Sequence, residues 1–317
     1  MNMSYLAAFE YTLGVTVPIF LIVFLGLYLK RTARIDDAFI AVSSRLVFNI
    51  CLPVLMFMAI TTAKVSLSAQ QDLVIFAVFA ALGSFLLAWW FSPFITQDSE
   101  RGVVTQGAFR ANLGIIGIAL CHKAYGAEGL AIGALLLAVV TPAYNVLSIY
   151  ALTRSQHSGR PDWLKVLWEI LKNPLIIAIA LAFICIGIGF EMPLWAADTA
   201  NYLGRMTLPL ALLAIGGSLS LSALRATSRP ATAAVAGKLF LLPLLITGAA
   251  YLAGLTGAVL GCIFLMFASP TATASFVMVK TMGGDARLAS NIIVASTLFS
   301  ALTISAGLYF IRAFGWA

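Results

Sequence analysis

Four basic residues of this 317-residue chain, Arg45, Arg110, Arg205 and Lys238, fall inside long apolar stretches, whereas all twelve acids fall at the ends of such stretches or between them. Ionisable groups inside apolar spans are costly, and they either mark a pathway or reach back to an interface. Each of the four lies about two helical turns, roughly 12 Å, from a stretch end, so both readings stay open for each of them. An interior with cations and no anions favours an anionic cargo. Asn112 is the strongest single candidate, because its amide can donate to a carboxylate while it interrupts an apolar stretch in the run Arg110-Ala-Asn-Leu-Gly-Ile-Ile-Gly117. A second interruption, Phe267-Ala-Ser-Pro-Thr-Ala-Thr-Ala-Ser275, offers the hydroxyls of Ser269, Thr271 and Thr273 around Pro270. The competing reading is that small polar residues merely let helices cross closely. Arg110 and Asn112 are about 200 degrees apart on an intact helix, so both face one cavity only if the helix is distorted between them.

The elements that must position these groups follow from proline and from spacing. Pro270 inside an apolar span removes a backbone hydrogen bond and clashes with the preceding turn, so the helix should break there. Freed backbone groups are tolerated in lipid only when buried in protein or lining a watery cavity, and broken helices near the midplane are where many transporters hold their substrates. The break around Asn112 is its twin: Asn112 and Ser269 are 157 positions apart, and the same offset carries Tyr125-Gly126-Ala127-Glu128 onto Met282-Gly283-Gly284-Asp285. Pro18 and Pro174 are 156 apart, as are Leu52-Pro53 and Leu208-Pro209. A near-constant offset of about half the chain indicates two tandem copies of one unit.

A span needs about 20 apolar residues. On that rule ten are expected, near 9–29, 37–61, 72–92, 102–124, 128–152, 173–190, 195–222, 230–252, 256–281 and 286–312. The expected fold is therefore an all-α membrane protein of ten transmembrane helices. It comprises a first five-helix repeat at 1–152, a cytoplasmic linker at 153–172 and a second repeat at 173–317. Five spans per copy is odd, so the second copy enters the membrane inverted, with its site between the copies. Twelve Lys and Arg residues cluster on one side of these spans, against Lys64, Lys123 and Arg312 on the other. That bias puts the twelve in the cytoplasm and both termini outside it.

Composition closes other classes. With 62% hydrophobic and 10% charged residues, and a mean hydropathy of +1.01, the chain belongs in a bilayer rather than in water. The net charge of +7 comes from scattered basic residues at span ends, so nucleic acid is not an expected partner. The N-terminus has no basic region and carries Glu10 before its first apolar run, so no cleavable signal is expected. Cys51, Cys121, Cys185 and Cys262 sit inside apolar segments without metal-like spacing and read as small buried hydrophobes. His122 stands alone at the outer end of a span, where solvation is its simplest role. Without buried acids or a histidine cluster there is nothing to hold a metal or to activate a nucleophile, so neither an enzyme nor a cofactor is expected. A channel stays open as a rival, and current that does not saturate with substrate would favour it. Asn49 and Asn291 are expected to bridge helices. The tryptophans near span ends read as interfacial anchors.

The Asn173-Pro174 start of span six, the Leu52-Pro53 and Leu208-Pro209 pairs, Arg110-Ala-Asn112-Leu-Gly114 with Tyr125-Gly126 after it, and Ser269-Pro270-Thr271 together resemble the auxin efflux carrier family. The resemblance covers nearly the whole chain. It implies ten spans as two inverted five-helix repeats with crossed, broken helices four and nine, and a secondary active transporter of small organic anions. Bacterial members are associated with malate, malonate and related carboxylates. The long cytoplasmic loop of many plant members is missing, which favours the bacterial, inner-membrane type. An auxin-like monocarboxylate exporter and a sodium-coupled carrier of the bile-acid-symporter kind are the alternatives. The resemblance also aligns Asn145, behind Pro142, with a family asparagine, and facing the same cavity is one role open to it; the same amide could instead bridge two helices. Crossed-helix carriers commonly pair, so a homodimer is among the expected partners. The expected substrate site is Arg110, Asn112, Asn145, Ser269, Pro270, Thr271 and Thr273.

Overall fold

The computed structural model describes residues 5–63, 70–156, 163–220 and 228–317. Among them the chain is helical, without a strand, and its two breaks meet in a single antiparallel bridge between Ala111 and Thr271. In order, the helices are α1 (Tyr5–Arg31), α2 (Asp37–Ala63), α3 (Gln71–Phe91), α4 (Asp98–Phe109), α5 (Leu113–Ser155), α6 (Trp163–Leu171), α7 (Pro174–Gly187), α8 (Leu194–Ser218), α9 (Arg229–Leu252), α10 (Gly257–Ala268), α11 (Ala274–Thr281) and α12 (Ala286–Ala313). Six helices are long and apolar enough to cross a membrane: α1, α2, α3 with its 3₁₀ extension to Phe94, α5, α9 and α12. The other expected spans correspond to α7, to α8, which carries Asp198 and Arg205, and to the helix pairs flanking the two breaks.

Local chemistry explains where the helices start. Asp36, Asn173 and Asp285 each turn a side-chain oxygen onto a free amide at the start of α2, α7 and α12, at 2.7 to 2.9 Å. The four orphan amides of a helix start need such partners. Gly126 and Gly283 sit in the turns after the two breaks with φ of +60° and +77°, a region costly for residues with a Cβ. Gly126 therefore folds the 43-residue α5 into two arms. The second arm runs to Ser155, three residues past the expected end. The linker then contains the short α6, whose outward face carries Trp163, Leu164, Leu167 and Trp168.

Prolines shape the interiors of α2 and α9. Pro53 and Pro243 cannot donate, and a widened π-turn precedes each: the Leu52 amide bonds the Val47 carbonyl, and the Leu242 amide bonds the Gly237 carbonyl. Such bulges re-aim side chains and often mark functional positions. Here they carry Phe48 and Asn49 in α2 and Lys238 in α9.

Packing separates two environments. Large side chains such as Leu21, Phe79, Leu86, Leu244 and Leu302 are exposed on the outside of the bundle, which is tolerable where the surroundings are hydrocarbon. Inside, α1 lies on α8 and α12, α2 on α7 and α8, and α10 among α5, α9 and α12. The α1–α8 contact is close because Gly26 and Gly216 face backbone: a Cβ on either would overlap the carbonyl of Leu213 or Val23. Small residues at a crossing let helix backbones meet in this way.

Candidate functional site

The two interruptions bind one another. After α4 the backbone turns extended at Arg110 (φ −81°, ψ 100°), and after α10 Ser269 takes the extended geometry (ψ 144°) that a following proline favours. The Asn112 amide then donates to the Pro270 carbonyl at 2.7 Å, and the Ala272 amide donates to the Arg110 carbonyl at 3.0 Å. These bonds satisfy groups that unwinding had freed, in an interior where an orphan costs several kcal/mol. Side chains complete the exchange. The Thr271 hydroxyl donates to the Gly107 carbonyl at 2.7 Å, and Ser296 of α12 accepts the Thr271 amide at 3.1 Å.

Beside the breaks lies an open cavity of about 700 Å³, lined by residues of α2, α5, α7, α8 and α11 together with Arg110 and Thr273. A smaller recess of about 80 Å³ adjoins it, bounded by Arg110, Asn112, Gly114, Thr141 and Thr273. The two share Phe48, Arg110, Thr141, Leu175, Thr273 and Ala274, so they form one indented space.

Arg110 and Asn112 both reach this space because the helix is broken between them, the condition that their spacing required. Arg110 is 7% exposed and is held from several sides. Its Nη2 donates to Asn145 Oδ1 at 2.6 Å, and its Nη1 donates to Ser148 Oγ at 3.0 Å and approaches the Met278 sulfur at 3.2 Å. Its Nε has no partner among the described residues. Asn145 therefore bridges helices, one of its two expected roles, while also lining the cavity. With Oδ1 engaged, its amide NH₂ is the end free to meet a solute. The Asn112 side chain is 6% exposed, lines the recess and caps no helix. A buried amide without a partner among the described residues, beside a fixed guanidinium, is an arrangement that can hold a carboxylate.

The remaining candidates divide. Thr273 lines both the cavity and the recess. Ser269, Pro270 and Thr271 line neither: the Ser269 hydroxyl donates to Leu265 of its own helix, and Pro270 and Thr271 hold the bridge. Two placements differ from the sequence-based expectation. Asn49, expected between helices, is exposed to the cavity because the π-turn before Pro53 rotates it there. Lys238, for which reaching an interface was open, is 1% exposed, and its Nζ donates to the Phe267 carbonyl at 2.6 Å. Arg45 and Arg205 are exposed, Arg45 at the cavity wall. Proline followed the π-turn in both α2 and α9, and that signal could have located Asn49 and Lys238.

The electrostatics are one-sided. Among the described residues, Arg45 and Arg110 are the ionisable groups lining the cavity, and no described acid side chain is buried anywhere. The one ion pair among them, Lys30 with Asp37, lies at the surface.

Long apolar helices around paired helix breaks define a multi-pass membrane protein. The sequence pattern of the family described as membrane transport protein matches residues 12–159 and 162–307, and the chain belongs to that family, the auxin efflux carriers that it resembled. It is 26% identical over 305 residues to a protein of Rhizobium meliloti named "Putative malonate transporter", covering 94% of this chain and 95% of that one. It is 25% identical over 217 residues to the uncharacterized transporter YfdV of Escherichia coli K12, covering 66% and 68%. An uncharacterized transporter of Methanothermobacter thermautotrophicus is 24% identical over 313 residues, covering 95% and 98%. The family and these relatives make the chain a membrane transporter rather than an enzyme.

Proposed function

We propose that this protein is a secondary carrier of small organic anions, dicarboxylates of the malonate type first among them, and that it holds the anion where the two helix breaks meet. The observation that carries this reading is the cavity wall. Two guanidiniums and the amides of Asn49, Asn112 and Asn145 converge there, and no described acid competes with an anion for them. In this reading Arg110 neutralises one carboxylate and Asn145 fixes its orientation. Asn112 and Thr273 bind oxygens in the recess, and Arg45 serves the second carboxylate or the entry path. Ser269, Pro270 and Thr271 act by holding the break rather than by touching the anion. The malonate named in the Rhizobium meliloti relative agrees with this choice of cargo.

The carrier mechanism follows from two inverted five-helix repeats, 1–152 and 173–317 around the 153–172 linker, that rock against each other. Its support is the matched pair of breaks and the pair of left-handed turn glycines, Gly126 and Gly283, 157 positions apart. The cavity wall includes Ser44, Arg45, Asn173 and Ser218, near the chain segments richest in lysine and arginine. By the charge bias of bacterial inner-membrane proteins that side is cytoplasmic and both termini lie outside, so this conformation is open inward.

Uptake of labelled malonate into proteoliposomes tests the reading. Saturable uptake is expected, inhibited by other short dicarboxylates and lowered about tenfold or more by Asn112→Ala, since a hydrogen bond to a charged group contributes about 1.5–3 kcal/mol. Thermal unfolding of the variant should stay near that of the parent. Uptake unchanged by Asn112→Ala would remove this site, and current that never saturates would make the protein a channel.

A further inference from the structure

Lys238 stands outside the cavity, yet it is the most deeply buried basic side chain among the described residues. It projects from the π-turn of α9 to the end of α10, where its Nζ lies 2.6 Å from the Phe267 carbonyl oxygen. The reason that carbonyl is free lies in the break. Its helical partner would be the Thr271 amide, which instead donates to Ser296 Oγ at 3.1 Å. The preceding carbonyl, of Met266, would pair with residue 270, a proline without an N–H. The C-terminal end of α10 therefore presents unpaired oxygens at the negative end of a helix dipole, sealed from water. The other break is finished differently, since the Gly107 carbonyl at the end of α4 receives the neutral Thr271 hydroxyl. At one half-helix end a lysine meets the freed carbonyl, whereas at its counterpart a hydroxyl does, the Arg110 guanidinium there turning away to Asn145 and Ser148.

Broken helices in transporters hold coupling sodium or protons at such C-terminal ends, among unwound carbonyls. A tethered ammonium in that position supplies the same charge to the same kind of oxygen atoms. We propose that Lys238 is a resident cation filling the place a coupling metal ion would take, and that transport by this protein therefore needs no sodium. The second clause rests on the carrier reading above, whereas the first does not.

The test is thermal unfolding of the purified protein without any anion substrate, in sodium chloride against choline chloride at equal ionic strength. The parent protein and Lys238→Arg should melt within about 1 °C of each other's salt response, with no sodium effect. Lys238→Ala should melt lower in choline and rise by roughly 2–4 °C in sodium, because an ion that binds the folded state raises its apparent stability. Lys238→Ser, which leaves the same space and adds an oxygen, should behave alike and serves if the alanine variant does not fold. Lys238→Met, which fills the space without charge, should melt lower and stay indifferent to sodium. A merely structural lysine would lower melting in every neutral variant without creating sodium dependence. That outcome, or a sodium response in the parent protein, overturns the proposal. Because no carboxylate is present, these results stand apart from success or failure of malonate uptake, and parent-protein uptake unchanged by choline replacement is the expected companion result.

Discussion

At the scale of single residues, the proposed site is a problem of keeping a guanidinium in place without an acid. Arg110 is buried, and its charge meets only neutral oxygens and a thioether among the described residues: Asn145, Ser148, the more distant Tyr144 carbonyl at 3.4 Å, and Met278. Such partners orient the fork but leave its charge uncompensated, which is the state an anion completes. Arginine is suited to this because its planar donors can bind the protein on one edge and a carboxylate on another. Arg110→Lys keeps the charge and loses the fork. It should therefore lower malonate uptake by roughly tenfold or more, mainly as a raised KM, while Arg110→Gln abolishes uptake. Equal uptake by the lysine variant would mean that a point charge suffices and that the hydrogen bond with Asn145 has no part in binding. Asn112 and Arg110 were identifiable from sequence because a polar residue inside an apolar span is conspicuous. Asn49 was not, because its direction depends on one widened turn.

At the scale of elements, two helices give up their own hydrogen bonds and recover them from each other. Pro270 makes this stable, since a helix through residue 270 would lack the bond to Met266 and would crowd the turn before it. Pro270→Ala restores the missing donor and allows α10 to continue toward α11. The expected outcome is a melting temperature about equal to or somewhat below that of the parent, because the unfolded chain regains freedom at residue 270, with malonate uptake reduced several-fold as the bridge to Asn112 weakens. Unchanged uptake would show that the break is held by its other contacts. The position of this break was legible in the sequence from the proline alone. The first break has no proline, and glycines and an asparagine marked it more faintly. That the two breaks bond in antiparallel register through Ala111 and Thr271 lay beyond any local signal, because those residues are 160 positions apart.

At the scale of the whole molecule, large apolar side chains cover much of the outside as well as the interior, and one indented space carries basic walls. If that space opens to the cytoplasm, an Asn49→Cys variant, with Cys185 replaced by Ser, should react with a membrane-impermeant maleimide from the cytoplasmic face. Malonate should slow the reaction several-fold. Labelling only from the opposite face would reverse the orientation drawn from the lysines and arginines. Cys51, Cys121 and Cys262 are buried and should stay silent in this assay.

Sequence by itself determined the solvent, the helical class, the approximate ends of most helices and the positions of both breaks. All of these are written in local quantities: hydropathy over about 20 residues, prolines, glycines and capping side chains. Only the tertiary structure decided which breaks touch, which of four interior cations are sealed in, and which polar side chains share a cavity. Those outcomes depend on helices far apart in the chain, and on rotations of a single turn that swing a residue such as Asn49 or Lys238 from one face to another. Apolar packing in lipid constrains such rotations weakly, so hydropathy leaves them open, while hydrogen bonds between distant backbones fix them.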